Sequence, residues 1–167
     1  TYIYSTFSQD QIGKIEGVSY DKASNTLTLD NVKRDEKLIT NVMGDDFKIL
    51  LKGDNSLKSI IVWGDGYGGN LTITGDGKLT LNSEKTENTA ITIQAEYTEG
   101  KVKIEKNVQM EMYAKEGYPI IEIVGANNSD KDKAVVIDGK LTQNYEVEQH
   151  ITEVTNNVYV VAKDSTA

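Results

Sequence analysis

Cysteine is absent from the 167 residues, which excludes disulfides, thiolate catalysis and zinc sites built on thiolates. Proline occurs once, at Pro119; arginine once, at Arg34; histidine once, at His150; tryptophan once, at Trp63. No apolar run approaches the roughly 18 residues that a membrane-spanning helix requires. No basic segment followed by an apolar stretch opens the chain, so a secretory leader is expected to have been removed or never present. The ends, Thr1-Tyr-Ile and Asp164-Ser-Thr-Ala167, read as cuts within a longer chain. Positive charge is scarce: the longest basic cluster is Lys33-Arg34, and the net charge is −8. That balance argues against nucleic acid and anionic lipid as partners, since both require a cationic patch. A solvated acidic surface accounts for the acidity more simply than calcium binding does.

What is plentiful is strand-forming material: threonine, valine, isoleucine and nine tyrosines. Short apolar triplets recur at Leu27-Thr-Leu29, Ile49-Leu-Leu51, Leu71-Thr-Ile73 and Ile91-Thr-Ile93. Further members are Gln109-Met-Glu-Met112 and Val135-Val-Ile137. Several run into Gly, Asn or Asp: Asp30-Asn31, Gly53-Asp54-Asn55, Gly75-Asp76-Gly77, Asp138-Gly139. These residues tolerate turns and left-handed backbone. A second apolar stretch follows each corner, so each unit reads as two short strands of period two. The repeat near 22 residues predicts an all-β fold, a short parallel β-solenoid in which Leu29, Leu51, Ile73 and Ile93 stack in one interior column. An antiparallel β-sandwich is the alternative. The best helical stretch, Phe7 to Ile15, is short and contains Gly13.

One domain is expected over 1–167: an N-terminal cap at 1–24, stacked units at 25–143, and a C-terminal cap at 144–163. In that last cap Tyr145, Val147, Gln149 and Ile151 alternate ahead of Val158, Val160 and Ala162. Asn156-Asn157 is the predicted turn of a terminal hairpin.

The run Gly17-Val-Ser-Tyr-Asp-Lys-Ala-Ser-Asn-Thr-Leu-Thr-Leu29 resembles a repeated phrase of clostridial cell-surface proteins. Leu71-Thr-Ile-Thr-Gly-Asp-Gly-Lys-Leu79 resembles the phrase that follows it there, with Lys52-Gly-Asp-Asn55 as the corner between. The likeness covers residues 17–82. It implies a right-handed β-helix of the pectate-lyase-like kind on an exported, Gram-positive, multidomain protein, located extracellularly or on the cell surface. Modules of that kind are often labelled carbohydrate-binding. The matching motifs are corners and strands, and no family catalytic motif falls on them.

Three groups of residues invite a chemical reading. The run Trp63-Gly-Asp-Gly-Tyr-Gly-Gly-Asn70 could stack Trp63 and Tyr67 on a sugar ring while Asp65 and Asn70 bond its hydroxyls. The plainer reading, which is preferred, continues Ile61-Val62 inward, buries Trp63 and leaves the glycines to turn the corner. A step of 22 residues would place Asp54 and Asp76 one strand apart, and calcium is the metal such a pair would take. The preferred reading makes them turn formers, because no EF-hand loop or calcium-binding glycine repeat is present. Asn31, Asn55, Asn82, Asn88 and Asn107 recur near corners, and internal amide stacks are expected of them, with a structural role for Asn31 and Asn55.

No catalytic residue is identified. A lyase needs a base; Arg34 lies in a polar corner and seventeen lysines offer no preferred one. His150 lies in the terminal cap, and Gly-x-Ser-x-Gly does not occur. The function read from the sequence is therefore a non-catalytic exported surface module that binds polysaccharide weakly through the aromatic loop. The alternative is a spacer or adhesion module beside further domains of the same chain. No cofactor other than calcium, no nucleic acid and no membrane insertion are expected.

Overall fold

The computed structural model describes residues 2–4, 14–41, 46–63, 69–95, 100–124, 134–141, 145–151 and 156–162. No helix occurs among them; seventeen strands do. They are β1 (Tyr2–Tyr4), β2 (Val18–Asp21), β3 (Thr26–Asp30), β4 (Lys37–Asn41), β5 (Phe47–Lys52), β6 (Asp54–Leu57), β7 (Ser59–Trp63), β8 (Gly69–Gly75) and β9 (Lys78–Leu81). Then follow β10 (Ile91–Gln94), β11 (Gly100–Ile104), β12 (Gln109–Met112), β13 (Ile121–Val124), β14 (Val135–Ile137), β15 (Lys140–Leu141), β16 (Tyr145–Ile151) and β17 (Asn156–Ala162).

These strands form three sheets. Sheet A has the order β1-β4-β7-β10-β13-β17-β16, sheet B β14-β11-β8-β5-β3-β2, and sheet C β15-β12-β9-β6. From β4 to β15 the chain visits A, B and C in the same cycle, returning to each sheet every third strand. Those returns are all parallel. Antiparallel pairing is confined to β2–β3, β13–β17 and β16–β17, so the sandwich alternative does not describe this chain.

Alternation within each strand decides what enters the core. In β5, Phe47, Ile49 and Leu51 are buried between Lys48, Leu50 and Lys52; in β9, Leu79 and Leu81 are buried between Lys78 and Thr80. Parallel register then stacks like on like. Leu27, Ile49, Ile73, Ile104 and Ile137 form one column of sheet B. Leu38, Ile60, Ile91 and Ile121 form one of sheet A. Residues of all three sheets meet in a single buried cluster, the arrangement that removes most apolar surface from water.

The columns correct the predicted repeat. Leu29 does face Leu51, but Ile73 faces Ile49, two residues earlier on the same inward side. Ile93 lies in sheet A against Val62, and Met112 in sheet C against Leu81. Each unit has three strands, one per sheet, where two were expected. The step lengthens along the chain because the corner from sheet C to sheet A grows. Lys58 alone joins β6 to β7, whereas residues 82–90 join β9 to β10 and 113–120 join β12 to β13. A search at constant period therefore slides onto the wrong sheet.

The corners are built by asparagine and glycine. Asn25, Asn31 and Asn82 all have positive φ, where a short polar side chain can bond locally. Asn55 is buried and bridges three levels: its Oδ1 accepts from Val32 N at 2.8 Å, and its Nδ2 donates to Lys52 O at 3.0 Å and Lys78 O at 3.2 Å. Asn31 Oδ1 accepts from Asp54 N at 3.1 Å. The predicted structural role is present, but these amides bond backbone of neighbouring levels where amide-on-amide stacking was expected.

At the N-terminal side β2 folds back on β3 through a turn in which Asp21 accepts from Ala23 N at 3.0 Å and Ser24 Oγ at 2.7 Å. At the other side β16 and β17 pair as the predicted hairpin. Asn156 and Asn157 belong to β17, opposite Ile151 and His150, so they do not make the turn; residues 152–155 between the strands lie outside the described residues. Most of the predicted helical stretch, 7–13, also lies outside them.

Glu122 joins this cap to the sheet. It stands opposite Tyr159 on the outer face of sheet A. Burial raises its pKa, and a hydrogen bond from Tyr159 partly offsets the rise. A raised carboxyl pKa means that the folded chain holds the proton more tightly than the unfolded one. Glu122 therefore destabilises the fold at neutral pH, and stability is regained as pH falls through the raised pKa, with no further gain below the ordinary value. Thermal melts of Glu122→Gln are expected to show a higher Tm than wild type at neutral pH, with the gap closing below the ordinary glutamate pKa.

Candidate functional site

Two surface regions carry chemistry. The first is the end of β7. Its pattern places Ser59, Ile60 and Val62 inside and turns Trp63 outward, 40% exposed. The preferred sequence reading, a tryptophan plugging the core, is thus corrected: Val62 takes the inward position and strand alternation sends Trp63 to solvent. Register sets Trp63 between Asn41 and Gln94 on the outer face of sheet A. Asp65 and Tyr67 lie outside the described residues. Asn70 is in β8, on sheet B, where its Nδ2 donates to Asp46 Oδ1 at 2.9 Å and its buried Oδ1 has no partner. The structure therefore ties Asn70 to the preceding level.

The carboxylates of the calcium reading do not stand one above the other. Lys78 is opposite Asp54, because the step there is 24 residues (54 to 78) where 22 was assumed. The same register continues Leu51↔Gly75, which brings Asp76 level with Lys52. Asp54 pairs with Lys33 at 3.0 Å. Among the described residues no three His, Cys, Asp or Glu side chains group to hold a metal ion.

Arg34 bonds Glu36 through two nitrogens, at 2.7 Å and 2.9 Å. The bond and the charge of each partner raise the arginine pKa and lower that of the glutamate. An arginine held in this way is not a proton acceptor. His150 has its backbone in β16, opposite Asn157.

The second region is a groove of about 570 Å³ crossing the outside of sheet B where it turns toward sheet C. Gly75 sets the corner back, so the floor is main chain of Leu51 and Gly75. Leu50 and Lys52 bound one side and Glu105, Lys106 and Asn107 the other; Lys103 and Asp138 also line it. Thr74 Oγ1 donates to Glu105 Oε2, which occupies that carboxylate. Sequence reasoning missed this site. Its residues lie on β5, β8, β11 and the corners after β11 and β14, and only steps of 24 (Ile49 to Ile73), 31 (Ile73 to Ile104) and 33 (Ile104 to Ile137) bring them together.

No protein-family model, curated protein or solved structure matches this chain.

Proposed function

We propose that the three parallel sheets wind as a right-handed β-helix and that the domain is a non-catalytic, exported module of a cell-surface protein that binds polysaccharide weakly. The observation that carries the binding reading is the outward, 40% exposed Trp63 at the end of β7. An exposed indole has a flat apolar face for a sugar ring and an N–H for a hydroxyl. Gln94, exposed and adjacent in register, adds an amide beside it. The cyclic visiting of the three sheets and the tight asparagine-glycine corners support the winding.

A glycan array probed with wild type and Trp63→Ala tests binding and location together. Signal on at least one glycan is expected for wild type, with a loss of about tenfold in the variant, the scale of one well-placed aromatic contact. Trp63 is the sole tryptophan, so its emission reports occupancy directly. Emission that stays unchanged across the whole glycan panel would exclude the aromatic platform and leave the spacer reading.

A further inference from the structure

We propose that the groove on the outer face of sheet B is a second binding site, and that it takes an anionic chain of sugar or polyol units. This deepens the polysaccharide reading but uses a different face, so the two stand or fall separately.

The charges come first. Lysines on the other corners are neutralised by carboxylates of a neighbouring level: Lys33 by Asp54 at 3.0 Å, Lys78 by Glu111 at 3.0 Å, Lys115 by Glu87 at 2.7 Å. In the groove, Lys52, Lys103 and Lys106 form no such ion pair with any described residue, although all three face one cavity. Glu105, the nearest acid in sequence, is taken up by Thr74. The three lysines are spread over β5, β11 and the corner after β11, with β8 between. The backbones that bear them are roughly 10 Å apart at about 4.8 Å per strand. That spread suits an extended chain better than a compact ion.

Shape and polarity narrow the occupant. About 570 Å³ lies within the range of small-molecule and oligomer sites. Leu50 interrupts a polar outer row, between Thr28 and Thr74 in register, and gives one apolar spot on the wall. Asp76, Asn107 and Asp138 supply acceptors and an amide at the margin. Ammonium groups for a carboxylate or phosphate, acceptors for hydroxyls and one apolar contact together describe a charged polyol. The rest of the molecule sharpens this, since a chain of net charge −8 repels polyanions unless a local site holds them.

The test is titration calorimetry with three probes: an oligouronate, a poly(glycerol phosphate) and neutral dextran. Four proteins are compared: wild type, Lys103→Ala/Lys106→Ala, the charge-matched control Lys22→Ala/Lys140→Ala, and Trp63→Ala. Wild type is expected to bind one or both anionic probes, and which of them identifies carboxylate or phosphate as the natural charge. Binding should weaken as salt is raised. The groove variant should lose at least about tenfold, while the control and Trp63→Ala keep their affinity. All six substituted positions other than Trp63 and the groove pair are exposed lysines, so circular dichroism and melting curves are expected to match wild type for every variant. No binding of either anion, equal loss in the control, or equal affinity for dextran would each overturn the proposal. Loss confined to Trp63→Ala would overturn it while leaving the aromatic reading in place.

Discussion

Replacing Asn82 by alanine is expected to be among the most damaging single substitutions in this protein, at about 4 kcal/mol. The side chain is buried at the start of the nine-residue corner 82–90. Its Nδ2 lies within hydrogen-bond reach of Thr86 O at 3.1 Å, Asn88 O at 2.9 Å and Tyr113 O at 3.1 Å. Its Oδ1 accepts from Thr86 N at 3.0 Å and Thr86 Oγ1 at 2.6 Å. One amide thus closes the corner on itself and fastens it to the next level. Alanine would leave backbone groups without partners, each costing about 1–3 kcal/mol when buried. It would also have to hold φ +54°, which costs a residue with a Cβ about 1–2 kcal/mol. Asn82→Gly separates the two effects. It removes the bonds but not the backbone freedom, and its urea midpoint should fall between alanine and wild type. A wild-type midpoint for Asn82→Ala would show that solvent or rearrangement of the corner replaces the amide.

The second large effect is expected at Gly75. Its φ is +99°, and a Cβ placed there would lie 2.4 Å from Leu51 O and 3.0 Å from Leu51 N. Both are main-chain atoms of the adjacent strand, so nothing can rotate away. Gly75→Ala should cost roughly 3 kcal/mol or more, through strained backbone and forced displacement of β5. Gly117 is the natural comparison, with φ +85° and no atom within 4 Å of the same Cβ. Gly117→Ala should cost only the backbone part, about 1–2 kcal/mol. Equal losses in chemical denaturation would show that close approach between levels contributes little. Because the corner at Gly75 forms the floor of the groove, Gly75→Ala should also make the groove shallower.

The class of fold was legible because strand alternation is local: apolar residues at every second position, punctuated by glycine and asparagine, need no partner to be recognised. Leu27, Ile49 and Ile73 were accordingly placed on one inward face. The third strand of each unit was not legible. Asp54–Leu57 carries Asp, Asn and Ser with one leucine, and its assignment to a sheet depends on Lys78–Leu81 lying beside it. Nor could the lengthening step be seen, since Ile91-Thr-Ile93 resembles Leu71-Thr-Ile73 as a string although it belongs to another sheet. Trp63 was misjudged because Ile60, Ile61 and Val62 form a continuous apolar run, from which the inward parity cannot be read. Only pairing with β4 and β10 settles it. The groove lysines are 51 positions apart from Lys52 to Lys103, and no motif joins them.

The corner between sheets C and A has one residue at Lys58, nine at 82–90 and eight at 113–120, yet Leu38, Ile60, Ile91 and Ile121 keep their alignment through all of it. Length at that edge is therefore decoupled from the frame. Doubling a flexible connection costs only about 0.6 kcal/mol in closure entropy. The edge is a natural slot for diversification, where new sequence can be displayed to the surroundings while the architecture that carries it stays constant.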